Sequence, residues 1–390
     1  MSAEPNADLV ARVQRQFEAL HGRRPALVAV APGRVNVIGE HVDYNGGWVL
    51  PAAIDRALAM AVAPREDDRV RLATADFDGM LEFNAHDLGP GTTRDWGRYV
   101  RGVMAGLARA GHGVPGFDAC VASTIPVGGG LSSSAALEAA TALAGLALVG
   151  AEMDRFALAK LCQRAEHDYA GVPCGIMDQA AVLCCEAAHL LLLDCESESF
   201  VQTPFVAAGW SLLIINSGVS HELASGEYAQ RRAACEQAAR RLRVSSLRHV
   251  AFTSLDKALA LPGLTDEMRR CVRHVVTEND RTNQCVAALQ RADIATAGKL
   301  LNASHASLRD DYRVSCEELD FIADFAQRED AVAGCRMTGG GFGGSCVALV
   351  RDDHAGRIIQ RVGDAFAARY GRRPAAFVTS AAAGARLIKI

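Results

Sequence analysis

The sequence lacks several patterns that identify particular classes of protein. Its twelve cysteines include no CxxC pair and no metal-ligand spacing, which argues against a structural zinc site. No apolar run approaches the length of a membrane span, and the first residues lack the basic-then-apolar pattern of a signal peptide. The 41 basic and 45 acidic residues give a formal charge of -4, so no overall positive field would attract nucleic acid or anionic lipid. We therefore expect a cytoplasmic globular protein that binds small molecules and neither nucleic acid nor membrane.

Lysine is also rare, and none precedes Lys160. This bears on residues 126–138, PVGGGLSSSAALE, because a Walker P-loop needs a lysine after its second glycine. The three glycines at 128–130 can instead turn successive N–H groups toward one phosphate, and a helix from about residue 133 would direct its positive end to the same point. One of the three serines at 132–134 could ligate Mg2+. The alternative is an ordinary glycine-rich turn with a serine N-cap.

Residues 31–54, APGRVNVIGEHVDYNGGWVLPAAI, form a second informative stretch. Four polar side chains fall within ten positions of a loop that is punctuated by glycines and flanked by apolar segments: Arg34, Glu40, His41 and Asp43. Carboxylates accept hydrogen bonds from sugar hydroxyls and histidine can donate or accept, so the group suits a polyhydroxylated ligand. A solvated surface loop is the alternative for any one of these residues taken singly.

Two acidic residues outside these stretches need an explanation. Glu166 lies at the edge of the apolar face of a predicted helix, 152–170, where a carboxylate is costly without a partner. That partner is either a structural salt bridge or a Mg2+ ion. Asp178 follows the chain breaks at Pro173 and Gly175, where it is either a helix cap or a rigidly held general base.

The length and the hydrophobic pattern predict a mixed helix and strand protein of two domains. A capping-box pattern of Ser315 and Glu318 marks the start of one of its helices. Helices are predicted at residues 8–21, 95–110, 133 onward, 152–170, 222–243, 266–290, 292–308, 317–328 and 355–370, and strands at 27–31, 57–63, 70–75, 81–84, 117–125, 189–195, 211–216, 376–380 and 385–390.

Two further features admit both a structural and a functional interpretation. In the helix predicted at 95–110, Trp96 and Tyr99 either pack in the core or cover a nucleotide base. In residues 337–350, MTGGGFGGSCVALV, five glycines in six positions precede a strand. Backbone there must approach either another loop or a ligand closely.

Three motifs occur in order, and together they resemble the galactokinase family of the GHMP small-molecule kinases. GRVNVIGEHVDYNGG is similar to the family's sugar-binding signature, PVGGGLSSSA to the superfamily's ATP motif and MTGGGFGGS to its third motif. The segments AEHDYAGVPCGIMDQ and SHASLRDDYRVSCEELD also read like the family, so the resemblance spans most of residues 27–350. The first motif is the most specific, because the ATP motif alone indicates only the superfamily.

The resemblance implies a fold and an activity. The fold is a two-domain α+β structure, with an N-terminal domain like ribosomal protein S5 domain 2 (residues 1–205), a ferredoxin-like C-terminal domain (residues 206–390) and the site in the cleft between them. The activity is transfer of phosphate from ATP, with Mg2+, to the C1 hydroxyl of D-galactose, the first committed step of galactose catabolism. A monomer is expected, and a dimer stays open.

The resemblance also implies roles for individual residues. In similar enzymes the aspartate matching Asp178 takes the proton of the C1 hydroxyl, and the arginine matching Arg34 lies beside it, keeps it ionised and stabilises phosphoryl charge. The positions that match sugar-binding residues are Arg34, Glu40, His41, Asp43, Gly175, Asp178 and Tyr228. The positions that match ATP-binding residues are Trp96, Gly128, Gly129, Gly130, Leu131, Ser132, Ser133, Ser134 and Ala135, and those that match Mg2+ ligands are Ser134 and Glu166.

Three alternatives remain. A related sugar kinase would phosphorylate N-acetylgalactosamine or arabinose at C1. A sensor of galactose and ATP would bind a transcriptional repressor without catalysis, although such sensors can lack parts of the ATP motif, which is complete here alongside Asp178 and Arg34. A homoserine or mevalonate kinase would have the superfamily motifs, but the stretch EHVDYNGG would then have no function.

Overall fold

The computed structural model of the protein describes residues 6–76, 79–90, 95–205, 207–219 and 224–390. Within these residues, no helix combines the length and the apolar character that crossing a bilayer requires. The helices are α1 (Ala7–His21), α2 (Gly97–Arg109), α3 (Ser133–Leu148), α4 (Arg155–Ala165), α5 (Met177–Cys184), α6 (Ala224–Leu242), α7 (Leu255–Leu259), α8 (Asp266–Gln290), α9 (Ile294–Ser307), α10 (Glu317–Ala326) and α11 (Ala355–Tyr370). The strands are β1 (Leu27–Asn36), β2 (Trp48–Val49), β3 (Pro51–Pro64), β4 (Arg69–Thr74), β5 (Met80–Asn84), β6 (Phe117–Ser123), β7 (His189–Asp194), β8 (Ser199–Pro204), β9 (Trp210–Asn216), β10 (Val332–Thr338), β11 (Ser345–Arg351), β12 (Ala375–Thr379) and β13 (Arg386–Lys389).

A six-stranded sheet in the order β13-β1-β3-β6-β4-β5 forms the centre of the first half. Strands β4 and β6 run parallel, and the other neighbours are antiparallel. Successive residues of β1 face opposite sides of the sheet: Val28 and Val30 pack with α1, whereas Ala29 and Ala31 belong to the main core. Helix α3 packs on β1 and β3 and is buried almost all round, because residues 135–146 are all buried. This burial fixes the N-terminal end of α3 relative to β1.

A four-stranded antiparallel sheet in the order β10-β11-β9-β12 forms the second half, with α9 and α10 packed against it. Helix α9 approaches β10 at two glycines. A Cβ atom on Gly298 would lie 2.0 Å from the backbone oxygen of Ala333, and one on Gly334 would lie 2.1 Å from the backbone oxygen of Gly298. Only glycine fits at such an approach, so the helix is held close to the strand.

A third sheet, β2-β7-β8, contacts β3 of the first sheet through β7 and helix α8 through β2 and β8. Strand β13 pairs with β1, so the last strand of the chain returns to the first sheet. We propose that the domain boundary falls at residues 205 and 206, between β8 and β9. On that division, residues 1–205 are called the first domain below and residues 206–390 the second domain.

The structure differs from the predicted elements at several places. Strand β1 continues to Asn36 and pairs there with β3, so Arg34 lies on a strand rather than in the predicted loop. The helix predicted at 152–170 divides into α4 and a π-helical turn, Glu166–Ala170. Strands β8 and β10 were not predicted, because neither run shows the regular alternation or the boundaries of an isolated strand.

The predicted capping box at α10 is wrong. The N-cap residue is Cys316, which makes no side-chain capping bond. The Ser315 hydroxyl donates instead to Asp320 Oδ1 at 2.5 Å. Because α10 begins at Glu317, Ser315 lies one residue before the N-cap position, where its hydroxyl does not reach the orphan N–H groups in the way that a capping box requires.

Candidate active site

Arg34 and Asp178 form the centre of the candidate active site. The Arg34 guanidinium donates from Nε to Asp178 Oδ1 and from Nη2 to Oδ2, both at 2.8 Å. Burial alone would lower the pKa of Arg34, but the carboxylates of Asp178 and Glu40 raise it above its usual value, so the group stays charged. The Asp178 side chain is 25% exposed, so a ligand can reach a carboxylate whose orientation is set by two parallel hydrogen bonds.

The backbone around Arg34 joins the sugar-motif stretch to the glycine loop. A β-bulge between Pro32 and Arg34 shifts the register of β1, and bulges of this kind redirect side chains. A Cβ atom on Gly33 would lie 2.9 Å from the Leu131 backbone oxygen, which shows how closely the loop approaches. The Arg34 N–H donates to that oxygen at 3.1 Å and Nη1 donates to the Gly130 oxygen at 2.6 Å. One arginine therefore contacts Asp178 and the predicted phosphate loop together.

A cavity of about 220 Å³ lies beside this pair. All the residues predicted to bind the sugar line it: Arg34, Glu40, His41, Asp43, Gly175, Asp178 and Tyr228. Sequence reasoning missed part of the wall, formed by Val172, Cys174, Met177, Gly339, Gly340 and Gly341, and Glu166 also reaches the cavity. The cavity is therefore formed by both domains.

Burial controls the charges on two residues of the cavity. Burial, and next the nearby Asp178 carboxylate, raise the pKa of Asp43 to about 7. Burial lowers the pKa of His41 to about 3, so its ring is neutral. His41 Nε2 lies 3.2 Å from the Gly340 carbonyl oxygen, which can only accept, so Nε2 carries the proton and Nδ1 accepts from the Tyr44 hydroxyl at 2.9 Å.

Gly175 and Tyr228 complete the wall around these two residues. A Cβ atom on Gly175 would lie 1.8 Å from Asp43 Oδ2, so no larger residue fits without moving the carboxylate. The Tyr228 ring, on α6, has its centroid 5.4 Å from that of His41. The cavity thus offers carboxylates, a neutral imidazole and an aromatic ring, which suits one small polyhydroxylated molecule.

The glycine loop packs against the third motif. Gly128 and Gly130 both have a φ of 68°, in the left-handed region that favours glycine. A Cβ atom on Gly339 would lie 2.8 Å from the Gly130 oxygen, and one on Gly344 would lie 3.2 Å from the Gly129 oxygen. The glycines of the third motif therefore approach another loop, and some of them also line the cavity.

The three serines of the ATP motif have different surroundings. Ser132 is the N-cap residue of α3 but makes no side-chain capping bond. Its hydroxyl donates instead to Asp178 Oδ2 at 2.6 Å, so the expectation of an ordinary serine cap is wrong. The side chains of Leu131 and Ala135 are buried in the core. The motif thus contributes a direct contact to Asp178 as well as a glycine loop.

A second cavity, of about 370 Å³, lies at the start of α3. Three of the predicted ATP-binding residues line it, Trp96, Ser133 and Ser134, and Tyr99 lies there too. Trp96 therefore has one side on a cavity rather than being enclosed in the core. The rest of the wall is formed by Leu58, Thr74, Asp76, Val121, Ser123, Ile125, Val127 and Leu137, all from the first domain.

Glu166 is buried without a cationic partner. In the part of the chain that the structure describes, no arginine or lysine forms an ion pair with it. Burial, and next the Asp178 charge, raise the pKa of Glu166, while hydrogen bonds from Cys174, Ser134 and Gln179 oppose that shift. The Gln179 amide donates to Glu166 Oε2 at 2.7 Å. A structural salt bridge within the described residues therefore does not explain the buried carboxylate of Glu166.

The surroundings of Glu166 suit a hard cation. The Ser134 hydroxyl and the Glu166 carboxylate are oxygen donors of the kind that Mg2+ prefers, and Mg2+ commonly takes its other ligands from phosphate and water. The described residues contain no group of three or more histidine, cysteine, aspartate or glutamate side chains placed to hold a metal. A Mg2+ ion that binds with a nucleotide needs no such group, so the residues present fit the predicted ion.

Three family models match the chain. The galactokinase galactose-binding signature matches residues 15–64, the GHMP kinases N terminal domain residues 98–186 and the GHMP kinases C terminal model residues 285–368. The Streptomyces coelicolor galactokinase is 47% identical, with 96% of this chain and 97% of the relative covered. The human galactokinase is 43% identical, with 98% and 97% covered.

The solved structures agree with these matches. The Lactococcus lactis galactokinase complexed with galactose superimposes with a TM-score of 0.94, at 33% identity, covering 98% of this chain and 100% of that one. The Methanococcus jannaschii mevalonate kinase superimposes with a TM-score of 0.66 at 18% identity, covering 91% and 98%, and so shows the fold alone.

The two domain matches and the paired sheets define the class as the GHMP kinases, and they confirm the predicted two-domain α+β fold. The sugar-binding signature and the identity over nearly the whole length narrow the class further. The chain belongs to the galactokinase family. The prediction of a kinase is thereby confirmed.

Proposed function

We propose that the protein transfers the γ-phosphoryl group of ATP to the C1 hydroxyl of D-galactose, giving galactose 1-phosphate and ADP. The observation that carries this proposal is the paired hydrogen bond of Arg34 and Asp178 at the wall of a cavity lined by every predicted sugar-binding residue. Membership of the galactokinase family supports galactose over other sugars. The product would enter galactose catabolism as its first phosphorylated sugar.

Asp178 acts as the general base in this proposal. Its carboxylate accepts the proton of the C1 hydroxyl as the C1 oxygen bonds to the γ-phosphorus and the bond from that phosphorus to the bridging oxygen of ADP breaks. Proton transfer comes late in a loose phosphoryl transfer, so positioning matters more than basicity. Arg34 and Ser132 hold the carboxylate with three hydrogen bonds, which leaves it one orientation toward the sugar.

The nucleotide takes the second cavity and the glycine loop. The adenine packs beside Trp96, and the phosphates lie along Gly128, Gly129 and Gly130 toward the N-terminal end of α3, where backbone N–H groups and the helix dipole favour anions. Leu131 and Ala135 shape this turn from the core side. Ser134 and Glu166 would hold Mg2+, which would neutralise phosphate charge when bound.

The sugar hydroxyls bind to Glu40, Asp43 and Tyr228, and His41 and Gly175 shape the cavity around them. Ionised carboxylates accept hydrogen bonds from hydroxyls, and the neutral His41 ring contributes a shape-defining wall. We further infer a cytoplasmic monomer: all twelve cysteines are free, as is usual in a reducing compartment, and a site formed within one chain needs no second copy.

The test is MgATP-dependent ADP release with D-galactose, D-glucose, N-acetylgalactosamine and arabinose in parallel, with phosphorus NMR to locate the new phosphate. We expect strong turnover on galactose with phosphate at C1. Turnover only on another sugar would support the proposed phosphoryl transfer but would contradict galactose as the substrate. Tight binding of galactose and ATP without ADP release would favour the regulatory sensor.

A further inference from the structure

The second domain binds three separate groups of the cavity residue Glu40. The Glu40 N–H donates to Glu278 Oε1 at 3.3 Å, and the Glu40 carbonyl oxygen lies 3.0 Å from His274 Nε2. Arg336 Nη2 donates to Glu40 Oε2 at 2.6 Å. Glu278, His274 and Arg336 are all fully buried, at 0% exposure. One sugar-motif residue is therefore held by its N–H, its carbonyl and its carboxylate.

The same residues hold the neighbouring backbone. Glu278 Oε1 also accepts from the Gly39 N–H at 3.1 Å, and Arg336 Nη1 donates to the carbonyl oxygens of Asn36 and Val37 at 2.9 and 3.0 Å. An anion thus binds the N–H groups of this segment, and a cation binds its carbonyl groups. This complementarity fixes the backbone path that leads to Glu40.

Glu278 and His274 are in the states that these bonds require. Burial alone would raise the pKa of Glu278, but the guanidinium groups of Arg281 and Arg336 and the hydrogen bond from Ser304 are among the groups that lower it to about 2. Burial lowers the pKa of His274 to about 4, so the ring is neutral. The Glu40 carbonyl can only accept, so the proton of His274 is on Nε2.

We propose that Glu278, His274 and Arg336 are positioning residues for the sugar site, which set the orientation of the Glu40 carboxylate and so the recognition of one galactose hydroxyl. This inference rests on the function proposed above. Stability alone is a poor explanation for the arrangement, because a buried ion pair is commonly no more stable than apolar residues of similar volume. Arg336 Nε is also buried without a hydrogen-bond partner among the residues that the structure describes.

The experiment compares galactose with its 2-, 3-, 4- and 6-deoxy derivatives, by equilibrium binding and by steady-state turnover. The variants are Glu40→Gln as the reference, and His274→Gln, Arg336→Met and Arg336→Lys. In the unaltered protein, removing the hydroxyl that contacts Glu40 should weaken binding by roughly ten- to hundredfold, as for a hydrogen bond to a charged group. In Glu40→Gln that one penalty should shrink, which identifies the hydroxyl.

In the positioning variants, we expect the penalty to shrink at the same hydroxyl and to persist at the others. Arg336→Lys should retain more of this penalty than Arg336→Met. KM for ATP should stay within about twofold of its original value in every positioning variant, because these residues do not line the nucleotide cavity. His274→Gln can still donate to the Glu40 carbonyl oxygen, but it loses the rigid ring whose Nδ1 lies 3.0 Å from the Ser307 hydroxyl, so the penalty should shrink by less than in Arg336→Met. It remains informative if Arg336→Met does not fold.

The matched control is Asp118→Asn. Asp118 is also a buried carboxylate, bound by Arg23, Arg65 and Arg71, but it lies on the first sheet outside both cavities. Asp118→Asn should lower the melting temperature, but the penalties for removing each galactose hydroxyl should stay as they are in the unaltered protein. Penalties that fall equally at every hydroxyl, or do not change, in the positioning variants would overturn the inference. Failure of the unaltered protein to bind or phosphorylate galactose would overturn the proposed function instead.

Discussion

The buried carboxylates on the two sides of the active site are held in opposite ways. On the sugar side, Asp178 and Glu40 each pair with an arginine. On the nucleotide side, no arginine or lysine among the described residues forms an ion pair with Glu166 or with the fully buried Glu138, and both accept from the Gln179 amide, whose Nε2 lies 2.7 and 3.1 Å from them. Burial, and next Glu166, raise the pKa of Glu138 well above its usual value.

The difference follows from what each side would bind. A sugar is neutral, so the protein itself must neutralise the carboxylates that contact it: arginines do this for Asp178 and Glu40, whereas Asp43, whose pKa is raised to about 7, is partly protonated. MgATP would bring its own cation, and a carboxylate already paired with arginine would have little affinity left for that cation. An uncompensated buried acid beside a phosphate loop therefore indicates a cation site, whereas a compensated acid indicates a positioned acceptor.

The largest effect is expected from Asp178→Asn, which keeps the shape of the side chain but removes the base. We expect kcat to fall by roughly 10²- to 10⁴-fold, the range typical of general-base removal, with the affinity for MgATP nearly unchanged. Rapid-quench turnover and nucleotide binding would measure the two. Asp168→Asn, which alters an exposed carboxylate paired with Arg164, is the control. Full activity of Asp178→Asn would rule out the role of base.

The next effect sharpens the contrast between the two sides. Glu166→Gln should raise the Mg2+ concentration needed for half-maximal activity by on the order of tenfold, because one oxygen ligand loses its charge. Glu138→Gln replaces a neighbouring buried carboxyl group that accepts from the same Gln179 amide, and it should leave the Mg2+ midpoint unchanged. If neither variant alters the Mg2+ titration, Glu166 has only a structural role.

Asp43 provides a test based on pH. Since its pKa is about 7, the ionised fraction, which accepts a sugar hydroxyl most strongly, falls as the pH drops below that value. KM for galactose should therefore rise below about pH 7, as more of the carboxyl is protonated. In Asp43→Asn, KM should be about tenfold higher than in the unaltered protein and should not vary with pH across this range. A galactose KM that varies equally with pH in both proteins would contradict this role.

The same residue predicts a change in stability. A carboxyl whose pKa rises from 3.8 to about 7 on folding favours the folded state below the unfolded pKa, and this contribution is lost as the pH rises to 7. Asp43→Asn should therefore raise the free energy of unfolding above pH 7, by up to about 4 kcal/mol, and the difference should shrink toward pH 4. Urea unfolding at both pH values would measure it, and a less stable variant above pH 7 would contradict the shift.

The smallest effect concerns the nucleotide side alone. Trp96→Phe should raise KM for ATP by a few fold through reduced stacking on the adenine, with KM for galactose unchanged. Trp210→Phe, which alters a tryptophan on β9 outside both cavities, is the control. An equal rise in both Michaelis constants for Trp96→Phe would indicate general loosening rather than contact with the base.

The predictions agree best with the structure where they rest on a sequence pattern a few turns long. Helices α8 and α11 have the predicted bounds, 266–290 and 355–370, because amphipathic periodicity acts over a few turns. The glycine loop before α3 can likewise be predicted from the three consecutive glycines at 128–130. The roles of individual residues, including Trp96 and the Mg2+ ligands, stay predictions that the experiments above address.

The individual partners of side chains could not be predicted in this way. Nothing in the capping pattern at 315–318 shows that Asp320 takes the Ser315 hydroxyl, and nothing in the serine triplet shows that Ser132 bonds to Asp178. The partner of each hydroxyl depends on which side chains the folded structure places beside it. That partner is five positions away for Ser315 and 46 positions away for Ser132.

The amino-acid sequence by itself determined the family, the two-domain fold and which residues carry polar chemistry, because these depend on motifs and short-range patterns. The resemblance also implied that Arg34 lies beside Asp178, 144 positions away, but only the tertiary structure gave the two parallel hydrogen bonds between them. Only the tertiary structure gave the Arg336 and Glu40 pair, which spans 296 positions. Such pairs depend on strand register, a bulge and the packing of one domain on the other, and these are set by the burial of the whole core rather than by any local stretch.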